Sequence, residues 1–160
     1  SILSTGPFMQ VSANGAPAGS EIKSEGKPVM VKVKVQCSDW LDIDRVQVLV
    51  NGRQPKDLNF TRQSHPDWFG SGVVKFDREI PVMLEADAHL IVVAVNSAGD
   101  LSTCFGSSPQ AKLKPQAWHN PIYVDVNGDG WKPSMDTLGF DIPTTRLTVE
   151  EAQRILQLAH

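Results

Sequence analysis

The densest group of chemically competent side chains is DVNGDGWKPSMD, residues 125–136. Asp125, Asn127 and Asp129 hold its first, third and fifth places, Gly130 its sixth and Asp136 its twelfth. A hard cation such as calcium takes roughly six to eight oxygen ligands, and oxygen-bearing side chains alternating along a tight loop converge on one centre. The spacing predicts a calcium loop. Asp125, Asn127, Asp129 and Asp136 would be side-chain ligands, Trp131 would offer its carbonyl, and Gly130 would permit the sharp turn. Pro133 stands at the ninth place and has no ligating side chain, so water or a neighbouring loop must fill that position. The competing reading is a plain turn, because Asp, Asn and Gly are turn residues in any case. An ion bound here is expected to be structural, not a signal.

Other constellations are weaker. His65, His89, His119 and His160 show no HxH or HExxH spacing, so no zinc or iron hydrolase site is predicted. In SHPDWF, a His65–Asp67 pair competes with a loop whose Trp68 and Phe69 tuck under the fold, and the second reading is preferred. GxSxG and glycine-rich phosphate loops are missing from the sequence, and no catalytic residue is predicted. Trp40, Trp68, Trp118 and Trp131 could form a sugar-binding platform, but they fall in separate segments and read better as closures of the fold's open ends. NFT, residues 59–61, matches a glycosylation acceptor, a pattern of low specificity.

Strands must position these groups. In VMVKVKVQC, residues 29–37, Val29, Val31, Val33, Val35 and Cys37 share one face. DRVQVLVNGR repeats the device with Val46, Val48 and Val50, and Asn51-Gly52 supplies a hairpin turn. GVVKFDREIPVML puts Val74, Phe76, Ile80 and Val82 on one side, with Pro81 marking an edge strand or a bulge. HLIVVAVNSAGD reads as a central strand, and PFMQVSANG and NPIYVDV as the first and last. Residues 54–72 and 97–120 are expected as two long connections. Thr148 and Glu151 form a capping box ahead of the stripe Val149, Ala152, Ile155, Leu156 and Ala159. The prediction is an all-β, immunoglobulin-like antiparallel β-sandwich over 1–143, followed by a short C-terminal helix in 144–160.

Composition bounds the function. The 160 residues are 41% hydrophobic and 21% charged, values that predict a folded domain rather than disorder. A net charge of -3 with no basic stripe argues against nucleic acid as a partner. The longest apolar run, LIVVAV, is too short to span a membrane. SILSTGPFMQ lacks a basic start and an apolar stretch, so a chain cut from a larger precursor is expected. Cys37 and Cys104 are too few for a disulfide scaffold, and spacing cannot pair them; they read as two buried thiols.

The loop's spacing, with Asp at the last place, resembles the calcium repeats of dockerins. The flanks differ: NPIYV is strand-like, Gly139 and Pro143 oppose an outgoing helix, and there is no second copy. Taken in order, GPFMQVSANGAPAGSEI, LDIDRVQVLVNGR, GVVKFDREIPV, ADAHLIVVAV and NPIYVDVNGDGWKPSMDTLG resemble the C-terminal region of bacterial CehA/McbA-type metallohydrolases of the PHP class. The resemblance spans roughly residues 7–143 and implies a non-catalytic accessory β-sandwich of a secreted or periplasmic protein, partnered by the catalytic domain of a parent hydrolase. That family's metal-ligand motifs have no counterpart here. The alternative from another class is a free-standing carbohydrate-binding or adhesion module using Trp68 and residues 54–72.

Overall fold

The computed structural model describes residues 2–133, 148–150 and 153–154. Its strands are β1 (Ile2–Ser4), β2 (Phe8–Ala13), β3 (Ala16–Pro17), β4 (Glu21–Lys23), β5 (Val29–Gln36), β6 (Arg45–Val50), β7 (Asn59–Thr61), β8 (Val74–Val82), β9 (Ala88–Val95), β10 (Gln116–His119) and β11 (Ile122–Asp125). The period-two alternation in β5 sends Val29, Val31, Val33 and Val35 into the core. Asn51 and Gly52 both have positive φ, which gives the two-residue hairpin turn that bridges Val50 to Arg53. Pro81 lies in β8, at the edge of its sheet, where its missing N–H costs no ladder bond.

One sheet runs β3-β2-β5-β8, antiparallel throughout. In the other, β9 is central. β6 lies along one of its edges, with β7 beyond, while β10 and β11 follow each other along the opposite edge. β1 then adds antiparallel to β10, and β4 adds parallel to β11. With β2, β5 and β8 facing β6, β9 and β10–β11, the strands divide as in an immunoglobulin sandwich. The chain's first extended segment is shared between sheets, crossing at Gly6 between β1 and β2. The core interleaves Met9, Val33, Val35, Phe76 and Ile80 of one sheet with Val46, Val48, Leu90, Val92 and Ile122 of the other.

Several details depart from the sequence reading. The expected 97–120 connection contains one helical turn at Ser102–Phe105 and ends in β10, which completes the ladder on β9. A bulge opposite Val35/Gln36 leaves Lys75 as the extra residue of β8, which breaks the alternation there. Lys75 and Phe76 are therefore both buried, and Val74, expected inside, is exposed. The two cysteines are free, and only Cys37 is buried; Cys104 is exposed. Val149, Glu150, Gln153 and Arg154 are helical and exposed, whereas Glu151 of the expected capping box, the rest of the apolar stripe and the 143/144 boundary lie outside the described residues.

The registers set out two ends. The end of β11, the end of β4 and the turn from β8 to β9 meet at one. The crossing at Ser4–Gly6, the β5–β6 connection and the β9–β10 connection meet at the other.

Candidate metal centre

Asp125 closes β11 with its side chain fully buried. Its two oxygens accept the next turn's amides: Gly128 N–H donates at 2.7 Å and Gly130 N–H at 3.0 Å. Both glycines have positive φ, 87° and 91°, a conformation that a Cβ would strain. The sharp turn expected at Gly130 is present. Burial pushes the Asp125 carboxyl up, but the Gly128 and Gly130 amides, Lys23 and the Asn127 amide outweigh it, and the group ends below the usual carboxylate range.

The structure adds a residue that the loop's sequence does not contain. Asp87, in the turn between β8 and β9, is buried and accepts Val126 N–H at 2.9 Å and Lys132 N–H at 2.8 Å. Asp87, Asp125 and Asp129 each bring a carboxylate oxygen within 4.8 Å of the others. Asp87 is thus a carboxylate from a neighbouring turn standing beside the loop, one that local spacing around Pro133 does not reveal. All three groups are hard oxygen donors, which suits calcium better than a soft metal. Three carboxylates this close repel one another, and cations offset the repulsion: Lys132 Nζ pairs with Asp129, and Lys23 Nζ donates to the Gly128 carbonyl at 3.3 Å. The hydrogen bond to Asp129, with the fields of Asp129, Asp87 and Asp125, holds the Lys132 amine above its ordinary value.

The remaining expected ligands divide. Asn127 Oδ1 faces its own turn, accepting Asp129 N–H at 3.1 Å. Trp131 acts as an anchor: its N–H donates to Glu21 on β4 at 3.3 Å, its indole N–H to the Ala88 carbonyl at 3.2 Å, and its ring packs on Tyr123. Asp136 lies outside the described residues. A cavity of about 270 Å³ opens beside Asp87, Asn127 and Lys132.

The other sequence candidates are dispersed. Trp68 stacks on Phe60 and lies against His65 and Phe76, with Arg78 over its ring. His65 Nδ1 bonds Ser64 Oγ at 2.8 Å. Trp40 lies at the far end of the sandwich, and Trp118 sits on the outer face opposite Leu3. His119 is buried, and His89 bonds Asn51 through its backbone amide. No helix among the described residues is long and apolar enough to cross a membrane. Comparisons with protein-family models, with curated proteins and with solved structures returned no match.

Proposed function

We propose that this chain is a non-catalytic accessory β-sandwich of an exported, metallohydrolase-like protein, and that residues 125–132 with Asp87 hold a structural calcium ion. The observation that carries the reading is Asp87, a buried carboxylate from another turn brought to within 4.8 Å of Asp125 and Asp129. A cation there ties the β8–β9 turn to the end of β11, a fastening role that needs no substrate access. The ordered likeness of five segments to the C-terminal region of CehA/McbA-type hydrolases supports the accessory role.

Thermal melts with calcium, with magnesium and with chelator test the ion. Calcium is expected to raise the melting temperature in a concentration-dependent way, and Asp87→Asn to remove the effect. No shift at millimolar calcium overturns the ion site. The non-catalytic half is tested with aryl phosphate mono- and diesters in calcium, manganese or zinc, where no turnover is expected. Turnover that Asp87→Asn and Asp125→Asn both abolish would make the corner a catalytic centre instead.

A further inference from the structure

At the end of the sandwich away from Asp125, a cleft of about 450 Å³ opens between the Ser4–Gly6 crossing, the loop carrying Trp40 and Leu41, and the β9–β10 connection. Its floor is Leu41 and Leu101, 5% and 2% exposed, which cluster with Cys37 apart from the main core. Its walls include Trp40, Phe105 and Leu113, each about half exposed. Small-molecule sites fall in this size range, roughly 300–1,000 Å³, and combine an apolar lining with a few polar groups.

The lining is built before any ligand arrives. Gly6 sits so close to the floor that a Cβ there would stand 2.7 Å from Leu41 Cδ1. The connection that forms one wall is pinned by Leu101 N–H to the Ala111 carbonyl at 2.9 Å, and by Asn96 N–H to the Pro115 carbonyl at 2.8 Å. The lining also dictates its occupant. It includes no charged residue. The Ser4 hydroxyl accepts Gly6 N–H and bonds the Pro7 carbonyl. The Thr5 hydroxyl donates to the Lys114 carbonyl and accepts Gln116 N–H. Gln110, Cys104 and the indole N–H of Trp40 are the other polar side-chain groups of the lining. A charged ligand would lose its hydration and find no counter-ion there. We infer that the cleft binds a small, uncharged, mostly apolar molecule, aromatic or alicyclic, with one polar edge that the Gln110 carboxamide can meet.

Cys104 provides the readout, since it lines the cleft and is the exposed thiol, while Cys37 is buried and burial pushes its thiol up. Alkylation of Cys104 by iodoacetamide is followed with indole as probe, and with tryptamine and indole-3-acetate as charged counterparts. Indole is expected to slow alkylation saturably, and the charged pair to protect at least about tenfold more weakly. Leu113→Asp places a charge in a half-exposed wall where folding tolerates it; it is expected to abolish protection without lowering the melting temperature appreciably. No protection at the solubility limit of indole overturns the inference. So does equal protection by all three compounds, or protection that survives Leu113→Asp. None of these results depends on calcium, because the carboxylate corner is at the opposite end.

Discussion

Where β10 passes into β11, the ladder along β9 lacks a backbone acceptor, and Val92 keeps its amide paired through a side chain. Its N–H donates to His119 Nε2 at 2.8 Å, and His119 Nδ1 bonds the Asn120 carbonyl, so the ring is neutral and carries its proton on Nδ1. Burial lowers its pKa from 6.5, more than the Asn120 bond raises it. A depressed histidine contributes stability that is fully present above the unfolded pKa. That contribution is lost as the pH falls from about 6.5 toward the folded value, because the unfolded chain takes up the proton first. The melting temperature is therefore expected to hold between about pH 7 and 8 and to fall below about 6.5. His119→Gln, which keeps an acceptor for Val92, should flatten that fall. A second residue-scale prediction concerns Lys132, whose ammonium occupies Asp129. Lys132→Met removes the competitor and leaves the backbone N–H on Asp87. Calcium titration calorimetry is expected to show affinity rising roughly three- to tenfold.

Among the elements, the expected 54–72 connection carries β7, which pairs with β6, and its polar turns are held down on either side of that strand. Phe60 and Phe69 are buried, Trp68 stacks on Phe60 at 4.8 Å, and Arg62 Nη2 donates to both oxygens of Asp42, at 2.8 and 3.0 Å, and to the Gly70 carbonyl. Trp68→Ala is expected to cost about 2–4 kcal/mol in urea unfolding, since it empties the middle of that stack. Gly6→Ala is expected to cost about 1–3 kcal/mol, because φ there is 147° and the new methyl meets Leu41. The long strands and the tucked loop could be read from alternation, turn residues and embedded aromatics. β10 could not, because QAWH is four residues long and follows a proline, with too little pattern to separate it from loop. Lys75 was illegible for another reason: a bulge depends on pairing with β5, and the sequence of β8 alone keeps its even phase. At the carboxylate corner, Asp125, Asp129 and the Gly130 turn could be read from local spacing. Asp87 could not, since EADAHL is an ordinary turn until the fold carries it to β11.

At the scale of the molecule, the carboxylate corner and the apolar cleft are separated by the length of the sheet; β9 alone, eight residues long, spans about 25 Å. Between them lie the interlocked valines of both sheets, a close-packed block. Perturbations at sites this far apart, with no shared partner, add to within about 0.5 kcal/mol. Calcium near 100 times its dissociation constant should contribute about 2.7 kcal/mol, a rise of roughly 5–10 °C for a domain of this size. Indole should add its own smaller rise. Melts with calcium, with indole and with both are expected to give additive stabilities, and titration calorimetry to give the same calcium affinity with the cleft filled or empty. Linkage makes the reciprocal hold, with indole affinity unchanged by calcium. A coupling above about 1 kcal/mol would contradict the rigid block and require a second arrangement of the strands that both ligands bias. Additivity would instead leave the sandwich as a spacer, with each end free to serve its own ligand.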